Sequence, residues 1–302
     1  MPELPDVTVY VESIAARVAG QPLRTVRVAS PFVVRTFDPP LGAASGKNVI
    51  EVRRLGKRIV FVLEGGLFLV VHLMIAGRFK WLEAGAKIPG KVGLAAFDFP
   101  SGTLVLTEVA TKKRASIHLA RSLDEFRRGG IEPLESGREQ FEAALRRENH
   151  TLKRALTDPQ LFSGIGNAYS DEILHRAKLS PALLTQKMSG DEVGALFAAT
   201  REVLTRWTDR LRAEAREGFP EKVTAFRDDF AVHGKYKQPC PACGTAVQRI
   251  AYADNETNYC PRCQTGGKLL SDRSLARLLH DDWPRTIEEL EEKFPVPRKN
   301  SR

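Results

Sequence analysis

Residues 161–181 read LFSGIGNAYSDEILHRAKLSP, and two glycines one residue apart stand directly ahead of a helical run. Gly164 and Gly166 suit a tight turn, and Asn167 falls at the entry of the helix that follows. Unsatisfied backbone N–H groups and the positive end of the helix dipole make such an entry a ready phosphate site. As a nucleotide-binding fingerprint the stretch fails, because no strand of a βαβ unit precedes it. It reads instead as a helix-turn-helix variant that grips a nucleic-acid backbone. Taken alone, the same glycines serve equally to let two helices pack closely.

Around this stretch the chain is helical: EQFEAALRRE and HTLKRALTD lie before it, and GDEVGALFAATREVLTRWTDRLRAEA after it. From Leu23 to about His118 the pattern changes to short β-rich runs, TVRVA, NVIEV, RIVFVL, LFLVVHL, LAAFDF and TLVLTEV, punctuated by EGG, DPP and PSG. They predict a β-sandwich or barrel. Ahead of them Val7, Val11, Ile14, Ala15 and Val18 recur at helical spacing, which predicts a helix from Asp6 to Ala19 with Asp6 as N-cap and Gly20 as stop. The fold class is therefore α+β. The domains are expected at 1–121 (a leading helix and β-sandwich), 122–138 (linker), 139–230 (helical), 231–266 (cysteine-bearing) and 267–302 (extension). The extension should hold a helix over DRSLARLLHDDW and a second, IEELEEKF, opened by a capping box of Thr286 with Glu289. Its acidic character suits packing or partner docking rather than DNA.

The charge balance favours a polyanionic partner: 46 Lys and Arg against 37 Asp and Glu give +9 over 302 residues. The longest apolar run, Leu67–Ile75, is interrupted by His72 and falls short of the ~20 residues a membrane crossing needs. A cytoplasmic protein without membrane association is expected, and there a disulfide framework is not. Cys240, Cys243, Cys260 and Cys263 need another explanation, and their C-x2-C-x16-C-x2-C spacing supplies one. Two such pairs close the tetrahedral shell of a structural Zn2+, with a β-hairpin between them and no open coordination position for catalysis.

Read together, these pieces resemble the formamidopyrimidine-DNA glycosylase and endonuclease VIII family of base-excision repair enzymes. The resemblance runs over about residues 2 to 264. It rests on PEL at Pro2–Leu4, LGK at Leu55–Lys57, HLMIAG at His72–Gly77, the GIGNAYSDEIL motif and the four-cysteine finger. It implies a β-sandwich catalytic domain, a helix-two-turns-helix DNA-binding domain and a zinc finger. The implied activity is that of a monomeric bifunctional glycosylase and AP lyase that acts on damaged DNA, near the nucleoid, without a small-molecule cofactor.

The family's chemistry gives the unusual N-terminus a purpose. After removal of Met1, Pro2 carries a secondary α-amine, and an α-amino group titrates near ~8, well below a Lys side chain at ~10.4. Such an amine attacks C1′ of a damaged nucleotide and holds the sugar as a Schiff base. Glu3 is implied as general acid-base, and Lys57 as a catalytic lysine on a phosphate beside the lesion. Asn167, His72, Lys112, Lys113, Arg114 and Asn255 are implied as DNA-binding residues. Met74 and Ile75, at the end of the HLMIAG strand, would fill the space left by the extruded base.

Three departures from the family stand out. Asp6 stands where bacterial members usually carry Glu. Asn255 occupies the position of the finger's usual Arg, so the phosphate grip is expected to be weaker or to be taken over by Arg249, Arg262 or Lys268. TEVATKKRAS, Thr107–Ser116, replaces a loop that normally reads DPRRFG, so the aromatic wedge is missing. Two alternatives follow: a non-excising protein that binds damaged DNA or abasic sites, and a zinc-ribbon interaction module on an unrelated scaffold.

Overall fold

The computed structural model describes residues 1–221, 223, 227–252, 255–270 and 284–293. The chain divides into two compact units: Met1–Glu132 with Leu204–Ala225, and Pro133–Val203 with Phe226–Arg302. These bounds are drawn differently from the sequence-based ones, because the second half of one long helix groups with the first unit.

In the first unit, α1 (Leu4–Val18) opens two residues earlier than its periodicity suggested. Pro5 lies in its first turn, where no backbone N–H is required. The N-cap is Glu3 rather than Asp6, and Asp6 stands at the third helical position. There its Oδ2 accepts the Glu3 backbone N–H at 2.9 Å, so the shorter acid still reaches back over the helix start. Val7, Tyr10, Ile14 and Val18 form one buried stripe.

Nine strands follow: β1 (Pro22–Leu23), β2 (Thr25–Val28), β3 (Lys47–Leu55), β4 (Arg58–Leu63), β5 (Leu67–His72), β6 (Gly77–Leu82), β7 (Gly93–Phe99), β8 (Gly102–Glu108) and β9 (Ser116–Ala120). They form a five-stranded sheet, β1-β3-β4-β5-β9, and a four-stranded sheet, β2-β7-β8-β6. Ile59, Phe61, Leu69 and Val71 of the first share one core with Phe79, Phe97, Leu104 and Leu106 of the second and with the stripe of α1. The opposite face of β4 and β5 is covered as well, Val60 and Val70 packing against Leu123 and Phe126. Burial on both faces explains why these strands read as continuous apolar runs.

In the second unit, α2 (Arg138–Arg146), α3 (Leu152–Thr157), α4 (Asn167–Ala177) and the start of α5 (Gly190–Glu214) form the helical part. Phe141 lies 4.7 Å from Phe162 and 5.4 Å from Phe197 between ring centroids. A reciprocal cap starts α5: the Glu192 N–H donates to Ser189 Oγ at 3.2 Å and the Ser189 N–H to Glu192 Oε2 at 2.8 Å. The finger is the hairpin β10 (Gln248–Tyr252) and β11 (Asn255–Tyr259), closed by α6 (Pro261–Thr265).

Within the extension Lys268 forms a bridge with Thr286, and α7 (Ile287–Lys293) follows. Thr286 Oγ1 accepts the Glu289 N–H at 3.3 Å, as the capping signal expected, while Glu289 Oε2 takes the Arg285 N–H instead. The helix expected over DRSLARLLHDDW lies outside the described residues.

Candidate functional site

At the N-terminus the α-amine of Met1 sits among charged groups. Burial lowers its pKa from the ordinary 8.0; Glu3 opposes this, Arg78 adds to it, Asp6 opposes it and Lys57 adds to it. Glu3 and Asp6 are each only 2% exposed, so two carboxylates and two cations surround an amine in a setting that favours its neutral form.

Lys57 stands in a tight turn between β3 and β4. Leu55 pairs with Arg58 across a two-residue hairpin, and Gly56 takes φ +61° at the first loop position, the pattern of a type II′ turn. The loop that joins β5 to β6 carries Met74 and Ile75, which therefore stand in a turn and not on a strand end. Met74 adopts φ +52° and Ile75 is 50% exposed. The Gly77 N–H closes the turn on Leu73 O at 2.9 Å, and a Cβ on Gly77 would stand 2.3 Å from that oxygen. Arg78 Nη1 donates to Gly77 O at 2.6 Å and to Ile75 O at 3.2 Å. Arg78 escaped the sequence reading; the one signal for it was a cation directly after HLMIAG.

His72 ends β5 opposite Arg58 and Ser116. Burial, then Arg58, Lys57, His118 and Arg128, pushes its pKa down to about 4, so the ring is neutral at pH 7 inside a cluster of cations. The loop that carries Lys112, Lys113 and Arg114 is built on a buried acid. Glu108, 1% exposed, accepts the N–H groups of Arg114 at 2.8 Å and Ala115 at 3.0 Å on Oε2. Lys113 turns back to donate to the carbonyl of Glu108, while Lys112 and Arg114 are exposed. Val109, at the start of this loop, is 75% exposed.

In the second unit, Gly164 takes φ +81° and Gly166 caps α4, whose first residue is Asn167. Lys153 of α3 holds this turn, its Nζ donating to Asn167 O at 2.7 Å, Ser170 Oγ at 2.8 Å and Asp171 Oδ1 at 2.6 Å. Asp171 is fully buried and also accepts from His233 Nδ1 at 2.8 Å and the Asn258 N–H at 3.1 Å. Glu172 receives the backbone N–H groups of Ala231, Val232 and His233 at 2.8, 2.9 and 3.0 Å. Burial raises the Glu172 pKa, and those three donors oppose the rise. Lys153, Asp171, Glu172, His233 and Asn258 were all missed from the sequence.

The four cysteine sulfurs lie within 4.8 Å of one another, with Cys240 4.0 Å from Cys263 and Cys243 3.4 Å from Cys260. Tetrahedral Zn2+ with Zn–S of about 2.3 Å needs sulfurs about 3.8 Å apart, so the set fits one ion. Asn255 opens β11 opposite Tyr252. The alternatives for the finger's phosphate grip, Arg249, Arg262 and Lys268, are all exposed, and Arg249 also lies over the Tyr236 ring at 4.4 Å and pairs with Glu256 at 3.4 Å.

Comparison with known proteins gives three consecutive domain matches. The model of the formamidopyrimidine-DNA glycosylase N-terminal domain matches residues 1–119, that of the H2TH domain 130–211, and that of the zinc finger found in FPG and IleRS 237–266. The chain is 32% identical to a formamidopyrimidine-DNA glycosylase of Solibacter usitatus over 87% of its length and 99% of that protein. Against the Thermus thermophilus enzyme it is 33% identical over 88% of its length and all of that protein. The structure of Lactococcus lactis Fpg in complex with abasic-site DNA is similar with a TM-score of 0.77 at 25% identity, covering 87% of this chain and 99% of that one. Three consecutive domain matches and full-length relatives leave one assignment: the chain belongs to the formamidopyrimidine-DNA glycosylase family.

Proposed function

We propose that this protein is a bifunctional DNA glycosylase and AP lyase of base excision repair that works through a Schiff base on Pro2, with one structural Zn2+ in its finger. The observation that carries the reading is the placing of Pro2, itself buried, directly ahead of Glu3 and Asp6, each 2% exposed at the head of α1. With Met1 removed, the Pro2 nitrogen attacks C1′ of the lesion nucleotide. The C1′–N bond to the base breaks and its electron pair leaves with the base; the Pro2 nitrogen gives up its proton, and the C1′–O4′ bond then opens with a proton from Glu3 going to O4′, which leaves the Pro2 nitrogen doubly bonded to C1′. The resulting iminium acidifies C2′–H. Loss of that proton expels the 3′ phosphate, and a second elimination expels the 5′ phosphate. Lys57, in a rigid two-residue turn, suits a contact with a phosphate next to the lesion. The exposed Ile75 and the basic loop at 112–114 suit the gap and the strand around it.

Borohydride reduction traps the iminium on duplexes that carry oxidised bases or an abasic site. Protein with a native N-terminus is expected to give a covalent adduct, and Pro2→Gly to lose it along with strand cleavage. Intact DNA binding with no adduct on any duplex would favour the non-excising alternative.

A further inference from the structure

Helix α4 reaches the finger with three side chains. Asp171 and Glu172 bind Asn258 and the backbone of 231–233, and one turn after Asp171 the His175 ring meets a metal-binding cysteine, with Nε2 3.2 Å from Cys240 Sγ. Cys240 is 2% exposed, so water does not compete freely for that sulfur. A zinc-bound cysteine is a thiolate and has no proton to give, so in the loaded finger the contact exists only as N–H···S with the imidazole donating.

We propose that His175 is a positioning residue for the zinc site, an outer donor that holds the Cys240 thiolate and makes zinc retention depend on a helix outside the finger. A hydrogen bond to a metal-bound sulfur draws electron density from it and fixes its direction, and partners of this kind change metal retention substantially. The same helix begins with Asn167, so the element proposed to grip DNA at one end braces the metal at the other. This inference rests on the finger's holding zinc.

The test begins with the metal content of the full-length protein and proceeds to zinc transfer to an excess of a chromogenic chelator. His175→Phe keeps a ring and removes the donor; His175→Gln restores an N–H near the position of Nε2. Zinc loss is expected on the order of tenfold faster in His175→Phe, as for other outer partners of metal ligands, and close to wild type in His175→Gln. With Co2+ in place of zinc, the sulfur-to-metal charge-transfer band should move to lower energy in His175→Phe alone, because the donor no longer stabilises the sulfur lone pairs. A wild-type protein without one equivalent of zinc overturns the metal assignment and this inference together. Zinc-loaded wild type with unchanged release and spectrum in His175→Phe overturns the inference alone. Equally fast release from both variants would make the ring a packing element and not a donor.

Discussion

Acidification should expose the position of His72. Its folded pKa is pushed down to about 4 from the ordinary 6.5, by burial first and then by Arg58, Lys57, His118 and Arg128. The unfolded chain therefore takes up this proton earlier than the folded one as pH falls. The associated stability is fully present above about pH 6.5 and is lost progressively toward pH 4. For a separation of about 2.5 units, the linkage relation gives a loss of about 2 kcal/mol between pH 7 and pH 5 and about 3 kcal/mol by pH 4. Other groups titrate over the same range, so the measurement is a double difference. Urea unfolding of the wild type and His72→Gln is followed at pH 7 and pH 5, and the wild type should lose about 2 kcal/mol more than the variant. Equal losses would refute the argument, because they would mean that the ring accepts its proton as readily folded as unfolded. DNA that places a phosphate beside Lys57 should shrink the difference, since the anion offsets the cations that hold the pKa down.

Two further substitutions probe the scaffold. Asp171→Ala leaves Lys153 and His233, with side chains 14% and 5% exposed, without their common acceptor. It should cost about 3–5 kcal/mol in chemical denaturation, and a loss under ~1 kcal/mol would show that the cluster relaxes or hydrates instead. Gly77→Ala places a methyl 2.3 Å from Leu73 O and must open the turn that carries Met74 and Ile75. A melting temperature lower by roughly 5 °C is expected, and an unchanged one would show that the turn gives way freely.

The parts of the molecule that announce themselves in the sequence are those governed by local rules. RIVFVL and LFLVVHL became β4 and β5 around the EGG turn, α4 starts directly after Gly166, and α5 begins with the GDEVGALF run. Strand β6 was hidden because HLMIAG read as the end of one strand, whereas the turn at 73–77 ends β5 and starts β6. The start of α1 was misplaced because Asp6 has the chemistry of an N-cap, and only the geometry shows it reaching back from the third position. The buried cluster on α4 was illegible for another reason. Acids in a helix read as a solvated face, and apart from Lys153 the donors that satisfy Asp171 and Glu172 come from residues about 60 and more positions away. The roles proposed for Pro2 and Glu3 come from the family resemblance alone, since a charged N-terminus is ordinarily solvated.

The Glu108 carboxylate, finally, determines when the basic loop at 112–114 acquires its shape. Because it binds the N–H groups of Arg114 and Ala115 within the folded chain, the entropy of ordering that loop is lost during folding and not when a partner arrives. Under the proposed function, Lys112 and Arg114 would then meet an incoming strand at a set spacing. Encounter should be quick, with little waiting for the loop to find its form, and partners of a different contour should be accommodated poorly.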